Sequence, residues 1–421
     1  MEPTFSTRQR GRAHLAEDRK RGAGDLVPSL ALCPLPGVHI DALETHDAPM
    51  KPRLVELLCC PACGAGLTCH SFEDRPDPKG LALGGEAYGT EVVCGLLACQ
   101  TCDLAFPIIE EVPRVIRNAF EEYANWFSDQ AARISAIEGL GAVSQKIGSV
   151  DSSRFDKRSN ESFSLQWEKY QYGDKTWFKS DLDQRRDEFL DAMQLTAEQL
   201  DGKLVLDAGC GNGRLTASVT RYGAEVVGMD LSRSVVRAQE MREEHAGENA
   251  HYLHFVQGNV MEPPFPPNTF DHEHTSGVLH HTPSTERSLD SFLTLVKPGG
   301  RVYVQLYRTR EPWIGIPNAI IRAFTSRLPL RLLFGICYTV APLHRLLVLM
   351  VAKLRGESSP IEETTRREQA VSLFDNYSPR YQYRYTPSEM QALFENRDLK
   401  NVRDVTFDNE ARHMVAFAGD K

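Results

Sequence analysis

Four cysteines could bind a metal ion, because they occur as two C-x-x-C pairs, Cys60 with Cys63 and Cys99 with Cys102. Two such turns can present four thiolates in a tetrahedron, which suits zinc and adds folding energy to a small module. Four thiolates leave no coordination position open, so we expect a structural zinc site and not a catalytic one. The alternative is a set of buried or redox-active cysteines.

The two pairs are further apart than in most zinc ribbons, since 35 residues lie between Cys63 and Cys99. The usual spacing is about 15–20 residues. We expect the extra length to form a polar loop over residues 71–89. Three nearby cysteines are expected to lie in the core or to stay unliganded: Cys59, Cys69 and Cys94.

A glycine-rich turn follows an apolar run and contains Asp207, Gly209, Gly211 and Gly213. Glycines allow backbone N–H groups to approach a ligand closely at the mouth of an open α/β sheet. A second apolar run ends at Asp230, and a carboxylate there can accept hydrogen bonds from both hydroxyls of a ribose. The pattern therefore predicts a site for a nucleoside-type cofactor.

Two adjacent histidines, His280 and His281, follow the fourth predicted strand of the same region. Either imidazole could accept a proton near neutral pH, so both are candidate general bases. The alternative is that one of them orders a loop or caps the next helix. The nearby run from Asp271 to His274 has metal-ligating residue types, but along a strand they point to opposite faces.

The elements that must position these residues alternate between strands and helices. Apolar, strand-like runs at 204–206, 226–229 and 302–306 are separated by helical patterns, which is typical of a parallel α/β sheet. We divide the chain into four segments: a disordered leader at 1–49, a zinc-ribbon-like domain at 50–117, a helical linker and lid at 118–200, and an α/β domain at 201–421. The α/β domain contains an apolar, basic helical insertion at 308–355.

Composition narrows the classes of function. The chain has 421 residues, 41% of them hydrophobic and 25% charged, and a net charge of −9, which argues against a protein built mainly to grip nucleic acid. Residues 1–20 are charged and lack the apolar core of a signal peptide, and Met50 is a hypothetical functional start. The longest apolar stretch, 328–352, is interrupted by Arg331, Pro342, His344 and Arg345, so we expect a soluble, cytoplasmic protein.

Residues 203–307 resemble class I S-adenosylmethionine-dependent methyltransferases. The resemblance rests on the glycine turn, Asp230, the V-Q-G-N-V run at 256–260 and the K-P-G-G turn at 297–300. It implies a seven-stranded, Rossmann-like α/β sheet. It also implies a role for each residue: Asp207, Gly209, Gly211 and Gly213 would hold the methionine end of the cofactor, Asp230 the ribose, and Asn259 with Val260 the adenine.

One residue departs from that family, because Asp often stands where this chain has Asn259. The carbonyl oxygen of Asn can still accept a hydrogen bond from the adenine amino group. A dinucleotide dehydrogenase is the obvious rival, but the third glycine of its G-x-G-x-x-G fingerprint would fall at Arg214.

The cysteine module resembles the small zinc-ribbon proteins that partner and activate tRNA and rRNA methyltransferases. The similar sequence segments are LLCCPACGAGL at 57–67 and LACQTCDLAFPIIEEVPRVI at 97–116. The resemblance implies a helper or docking domain that does no chemistry itself.

Aromatic residues flank the α/β core on both sides. In the methyltransferase family such flanks fold over the cofactor as a lid, although ordinary packing is an equal alternative for any one residue. The flanking aromatics are Phe163, Trp167, Tyr170, Tyr172 and Trp177 before the core, and Tyr377, Tyr381, Tyr383 and Tyr385 after it. The segment 377–383 is expected to face the substrate.

The insertion combines apolar runs with an excess of basic residues. Between residues 301 and 355 there are nine Lys and Arg residues and one acidic residue, Glu311. We expect this segment to hold a lipophilic, anionic acceptor and to contact a membrane peripherally through residues 315–352. The alternative is a helical cap whose arginines are solvated or ion-paired.

These features predict a methyltransferase that uses S-adenosylmethionine, carries structural zinc and methylates an oxygen or carbon atom of a small or lipid-linked metabolite. The Asn/Asp-Pro-Pro-aromatic tetrapeptide of many N-methyltransferases is absent after the fourth strand. The layout also resembles quinone-pathway methyltransferases of bacteria. An RNA methyltransferase with a zinc-binding recognition module and a non-enzymatic scaffold with a degenerate cofactor site are the alternatives.

Overall fold

The computed structural model describes residues 51–140, 157–169, 182–356, 361, 364–407 and 413–421. The first part of this chain is a four-stranded antiparallel sheet in the order β1-β2-β3-β4. Its strands are β1 (Thr68–Pro76), β2 (Thr90–Ala98), β3 (Ala105–Ile109) and β4 (Val112–Pro113). Its two helices are α1 (Pro52–Leu57) and α2 (Pro78–Gly84).

The spacing between the cysteine pairs is filled by regular structure, and the expected loop over 71–89 was wrong. β1 continues to pair with β2 from Thr68–Ala98 as far as Pro76–Thr90. α2 and a short 3₁₀ helix, Glu86–Tyr88, then connect the two strands. The additional residues therefore lengthen a hairpin, which gives the small sheet more surface to bury.

The second sheet has seven strands, and all run parallel except the last strand in the chain. In space its order is β10-β11-β9-β8-β5-β6-β7. The strands are β5 (Leu204–Ala208), β6 (Glu225–Asp230), β7 (Leu253–Gln257), β8 (Phe270–Ser276), β9 (Val296–Tyr307), β10 (Lys400–Asp404) and β11 (Met414–Asp420). The central strand β5 and the edge strand β7 are buried along their whole length, as expected for a parallel sheet covered by helices and, at the β7 edge, by the small sheet. This confirms the predicted Rossmann-like α/β fold.

Short helices surround this sheet and precede it. Before the sheet come α3 (Ala119–Glu122), α4 (Ala124–Asp129), α5 (Ala131–Ser135), α6 (Lys157–Lys169), α7 (Leu182–Met193) and α8 (Ala197–Leu200). Within it come α9 (Arg214–Val219), α10 (Ser234–Glu240), α11 (Arg242–Ala246), α12 (Thr285–Leu293), α13 (Pro312–Thr325), α14 (Leu330–Arg355), α15 (Arg366–Tyr377) and α16 (Pro387–Glu395).

The small sheet packs against the β7 edge of the large one. The backbone N–H of Val115 donates to the carbonyl oxygen of Gln257 at 2.9 Å, and that of Cys59 donates to Pro264 at 2.9 Å. Arg114 pairs in parallel with Gln257, so the N-terminal segment adds a short bridge to an otherwise open edge. Buried apolar residues of both parts form one hydrophobic cluster. The domain boundaries at 117 and 200 stay a prediction.

The insertion after β9 is a pair of helices, α13 and α14, joined by residues 326–329. α14 is one continuous helix, although its sequence contains Pro342. Proline cannot donate to the carbonyl four residues earlier, that of Tyr338, and Nε of Arg366 donates to this oxygen at 2.8 Å instead. The residues expected to interrupt the apolar stretch therefore do not interrupt the helix. By length and composition, Leu330–Leu354 could cross a membrane, with a mean hydropathy of 1.7.

Candidate active site and metal site

The glycine-rich turn lies between β5 and α9, and its backbone demands glycine. Gly209, Gly211 and Gly213 have positive φ angles of 85°, 56° and 71°. A Cβ at Gly213 would lie 2.6 Å from the Phe255 ring, and one at Gly209 would lie 3.0 Å from Cβ of Val278. The loop is therefore both bent and closely packed, as a backbone that approaches a ligand must be.

Asp207 ends β5 beneath this loop and is buried. One carboxylate oxygen accepts from the Thr216 hydroxyl at 2.7 Å, and the other lies 3.0 Å from Nδ1 of His274, which donates to it. Asp207 thus ties the strand that precedes the glycine loop to the helix that follows it. Its direct contact with a cofactor stays a prediction.

Asp230 lies at the carboxyl end of β6, beside the glycine loop. One of its oxygens accepts from the backbone N–H of Gly211 at 2.9 Å. The other accepts from the backbone N–H and the hydroxyl of Ser232 at 2.8 and 2.7 Å. Burial raises the pKa of Asp230, although these donors oppose the shift. The structure therefore brings the predicted carboxylate and glycines together.

Asn259 and Val260 follow β7 on the same edge of the sheet. The side-chain oxygen of Asn259 accepts from the backbone N–H of Met261 at 3.0 Å, which fixes the orientation of the amide. Val260 is buried. The glycine turn, Asp230 and Asn259 thus follow three neighbouring strands, β5, β6 and β7, in the order that an extended nucleoside ligand would need.

Helix α6 covers this site with two of the predicted lid aromatics. A Cβ at Gly211 would lie 2.5 Å from Cζ2 of Trp167, so the indole covers the glycine loop. Phe163, one turn earlier, contacts the ring of His281 with centroids 5.3 Å apart. One helix therefore contacts both the candidate cofactor loop and the candidate base. The other predicted lid residues before the core, Tyr170, Tyr172 and Trp177, lie outside the described residues.

His281 has one defined tautomer. Its Nδ1 lies 2.9 Å from the carbonyl oxygen of Tyr381, which can only accept, so Nδ1 carries the proton. Nε2 is then unprotonated and able to act as a base. Burial lowers the pKa of His281 to about 4, although the bond to Tyr381 opposes this shift. The imidazole is therefore neutral at physiological pH.

His280 is fully buried beside it, with its ring 4.1 Å from the ring of Tyr307 and 4.2 Å from that of His281. Neither of its ring nitrogens has a hydrogen-bond partner among the described residues. Burial lowers its pKa well below the usual value. Of the two histidines, the geometry favours His281 as the base, while His280 packs between His281 and Tyr307.

Three arginines lie close to these histidines or to the neighbouring Tyr307: Arg310, Arg322 and Arg384. Burial and the neighbouring charge of Arg310 lower the pKa of Arg384 to about 10, and burial lowers the pKa values of Arg310 and Arg322 as well. The Arg384 guanidinium lies 5.1 Å from the ring of Tyr307. Tyr307 donates to Asp375 at 2.9 Å, and burial raises the pKa of this carboxyl. The region next to the candidate base is strongly positive.

The four predicted metal ligands form one cluster. The Sγ atoms of Cys60, Cys63, Cys99 and Cys102 all lie within 4.8 Å of one another. Cys60 and Cys102 are 3.4 Å apart, and Cys63 and Cys99 are 3.5 Å apart. A tetrahedron with Zn–S bonds of about 2.3 Å requires sulfur separations of about 3.8 Å, so a small adjustment accommodates the ion.

The two knuckles have equivalent backbones. The residue after each pair adopts a positive φ, 75° at Gly64 and 52° at Asp103. Burial raises the pKa of Cys99, but backbone N–H groups of Cys102 and Thr101 lower it more, to about 7. Burial raises the pKa of Cys60 to about 11 and outweighs the backbone N–H groups of Ala62 and Cys63, which likewise lower it. Both turns therefore direct N–H donors at a sulfur, and at Cys99 these donors favour the thiolate that a metal requires.

Two family models match the parts of the chain that contain the candidate sites. Residues 206–304 match the family described as methyltransferase domain, and residues 51–111 match the family described as Trm112p-like protein. The chain contains a methyltransferase domain and a Trm112p-like zinc-ribbon domain. The first match spans the glycine turn, Asp230 and both histidines, and the second spans all four cysteines.

Curated relatives of the methyltransferase domain include two ubiquinone biosynthesis O-methyltransferases. The protein from Ralstonia nicotianae is 38% identical over 114 residues, 27% of this chain and 47% of the relative. That from Proteus mirabilis is 32% identical over 126 residues, 30% of this chain and 50% of the relative. The chain thus spans about half the length of the curated relatives that it matches.

Similar solved structures include the YcgJ protein from Bacillus subtilis, with 16% identity and a TM-score of 0.36, covering 57% of this chain and 98% of that one. Another contains the Haloferax volcanii Trm112 methyltransferase activator in a complex with a methyltransferase. It has 14% identity and a TM-score of 0.32, and covers 57% of this chain and 92% of that one.

The sequence missed part of the methyltransferase site. The sequence predicted that residues 377–383 face the substrate, which stays a prediction. The segment packs against the histidines, since the backbone N–H of Tyr383 donates to the carbonyl oxygen of His280 at 2.9 Å. The sequence did not identify Tyr307, Asp375 or Arg384 as neighbours of the histidines. Only the excess of basic residues around the insertion hinted at the positive charge found there.

Proposed function

We propose that the protein is an S-adenosylmethionine-dependent methyltransferase that methylates an oxygen or carbon atom of a small or lipid-linked metabolite. The observation that carries this proposal is the glycine loop with three positive φ angles beside the Asp230 carboxylate. The names of the curated relatives favour oxygen as the acceptor atom. We also propose that the protein acts in the cytoplasm.

The described residues fit the cofactor without rearrangement of the fold. Gly209, Gly211 and Gly213 would face the methionine end, because they carry no side chain of their own that would keep a ligand away from their backbone. Asp230 would exchange its bonds to Ser232 for the ribose hydroxyls, and Asn259 with Val260 would contact the adenine. Bound S-adenosylmethionine would supply an activated methyl group next to the histidines.

The protein must then align an acceptor and take up its proton. The residues of this chain would hold the acceptor oxygen in line with the methyl group that bound S-adenosylmethionine would supply. Nε2 of His281 accepts the proton of the acceptor hydroxyl, because the Tyr381 carbonyl holds the other nitrogen protonated. Trp167 and Phe163 on α6 exclude water from the reacting atoms.

The Trm112p-like domain would hold structural zinc through Cys60, Cys63, Cys99 and Cys102. Its contact with the β7 edge gives it a role within this chain, because β7 carries Asn259 at its end. The zinc-ribbon domain would therefore support the adenine side of the cofactor site from within this chain.

Calorimetry with S-adenosylmethionine tests the proposal. Asp230→Ala should weaken binding by roughly 10- to 100-fold, because it removes hydrogen bonds to a charged group. Asp404→Ala is the matched control, since this exposed carboxylate lies on β10 away from the site.

The acceptor class needs a second experiment. Incubation of the enzyme with methyl-labelled S-adenosylmethionine and a cell extract should place label in the small-molecule or lipid fraction. Undetectable cofactor affinity would contradict the proposal, and so would label found only in RNA.

A further inference from the structure

The outer faces of α13 and α14 are apolar and exposed. Among the described residues, nearly all exposed large apolar side chains belong to these two helices, and only Leu81 and Tyr383 lie elsewhere. Trp313 and Phe324 on α13 are each 72% exposed, and Leu354 on α14 is 85% exposed. A continuous apolar surface of this kind marks a site of interaction, because it is costly to leave in water.

α14 carries two separate apolar stripes. The inner stripe, Leu333, Cys337 and Ala341, is buried against Ala370 and Phe374 of α15. The outer stripe repeats every three to four residues along the adjoining face, about 100° around the helix axis from the inner stripe. It consists of Leu332, Ile336, Val340, Leu343, Leu347, Val351 and Leu354, all exposed. The spacing is that of a helix face patterned for burial, and nothing in the described chain covers it.

The inner stripe decides between crossing a membrane and lying on one. α14 is held to α15 along its first half, and Arg345 donates to the carbonyl oxygen of Thr364 at 3.3 Å in its second half. A helix attached lengthwise to a polar domain cannot be surrounded by lipid. It can bury its outer stripe in the interfacial layer of a bilayer, as amphipathic helices do.

The charge of the helix pair favours an anionic surface as the partner. From Pro312 to Arg355 the sequence has six basic residues and no acidic one. The basic residues are Arg322, Arg327, Arg331, Arg345, Lys353 and Arg355. A symmetric pairing of two copies through this face would bring these like charges together, whereas an anionic leaflet would neutralise them.

A cavity of about 610 Å³ adjoins the C-terminal end of α13 and is lined by four arginines, Arg158, Arg322, Arg327 and Arg380. None of the described residues that line it is acidic. Arg158 and Arg322 donate to backbone carbonyls, including those of Leu328 at 2.9 Å and Pro379 at 2.8 Å. These carbonyls orient the guanidinium groups.

The cavity connects the apolar surface to the candidate active site. Phe324, one of the most exposed apolar residues, lies between Arg322 and Arg327 in the sequence. Tyr381 lines the cavity and its carbonyl oxygen accepts from His281. A carboxylate would offset one positive charge of this arginine cluster, whereas a phosphate ester offsets up to two and can bond several guanidinium groups.

We propose that α13 and α14 insert into the interfacial layer of an anionic membrane and that the arginine cavity binds the phosphate group of a lipid in that membrane. The phosphate lies at the level of the arginines, and the acyl chains extend along the exposed faces of the two helices. The position beside His281 makes such a lipid the acceptor class, a step that rests on the proposed function.

Vesicle sedimentation tests the membrane site independently of methyl transfer. The full chain is mixed with vesicles of phosphatidylcholine alone and of phosphatidylcholine with phosphatidic acid. We expect it to sediment with both and to prefer the anionic vesicles. The triple variant Trp313→Ser, Phe324→Ser, Leu354→Ser should partition at least about tenfold less to both kinds of vesicle, because it has less apolar surface to bury in the bilayer. Leu81→Ser, an exposed apolar residue on α2, should sediment like the wild type.

The arginine cavity is tested by the double variant Arg327→Ser, Arg380→Ser. Its preference for phosphatidic acid should fall about tenfold, with its partitioning to phosphatidylcholine unchanged. Lys400→Ser, Arg403→Ser removes the same charge from exposed positions on β10 and should keep the preference. Thermal melts of all variants establish that they are folded.

Three outcomes would overturn the proposal. One is a wild-type protein that stays in solution with both kinds of vesicle. Another is a dimer in light scattering that dissociates in the triple serine variant, which would identify a second copy as the occupant. The third is release from anionic vesicles by millimolar inorganic phosphate, which would identify a site for free phosphate. Sedimentation without any methylated lipid would leave the membrane site intact and refute the lipid as acceptor.

Discussion

At the scale of single residues, the cofactor side of the site was predictable and the acceptor side was not. Gly209, Gly211 and Gly213 are specified by local backbone geometry, so the sequence around them carries the signal. The residues around His281 come from segments about a hundred positions apart, such as the one that contains Arg384. No local pattern records such a contact, because tertiary packing alone creates it.

His281 should make the stability of the protein depend on pH. Its pKa is about 4 in the folded state and about 6.5 in an unfolded chain. Between these values the unfolded state binds the proton and the folded state does not, so stability falls as the pH falls from 7 towards 4. Acidification from pH 7 to 5 should lower the free energy of unfolding by about 2 kcal/mol through this histidine.

Urea denaturation at pH 7 and at pH 5 measures this effect. His281→Gln cannot titrate, so its free energy of unfolding should fall by about 2 kcal/mol less than that of the wild type over the same pH interval. His70→Gln is a suitable control because His70 is only partly buried. Equal acid sensitivity of the wild type and His281→Gln would contradict the assignment.

At the scale of elements, apolar runs predicted the strands well, and turns and insertions less well. The runs at 204–206, 226–229 and 302–306 lie within β5, β6 and β9. The expected loop after Ser71 instead continues β1, because pairing with β2 outweighs the polar character of those residues. Likewise, α14 continues through Pro342 because Arg366, 24 positions later in the sequence, donates a hydrogen bond to the carbonyl oxygen of Tyr338, which the proline leaves without its helical donor.

The zinc-ribbon element should depend on its metal. Cys99→Ser removes one of four thiolates, so zinc content should fall from one ion per chain towards none, and the melting temperature should fall by roughly 10 °C. Elemental analysis and thermal melts measure both. Cys69→Ser should retain zinc, because Cys69 lies outside the cluster. A Cys99→Ser protein with unchanged zinc content would show that the cluster is not the metal site.

At the scale of the whole molecule, the Trm112p-like and methyltransferase domains form one folding unit. Besides the shared core, Glu225 at the start of β6 joins the two parts. It accepts from Arg53 at 3.1 Å and from the Tyr88 hydroxyl at 2.8 Å, and from His254 at 3.0 Å. Despite burial, these donors lower the pKa of Glu225 to about 2. The sequence shows two family signatures side by side, but these hydrogen bonds of Glu225 between the two parts can be seen only in the structure.

The chain should therefore survive a cut between its two parts. If residues 50–140 and 157–421 are produced together as separate chains, with a tag on one, we expect them to purify as a one-to-one complex, because the interface provides both apolar contact and the Glu225 bonds. Glu225→Gln should weaken the complex by about tenfold or more, since it removes the negative charge that pairs with Arg53 and replaces one of the two acceptor oxygens with an N–H donor. Glu244→Gln, an exposed carboxylate on α11, is the matched control. Surface plasmon resonance between the two chains measures the difference, and equal affinities for the two variants would show that the joint lies elsewhere.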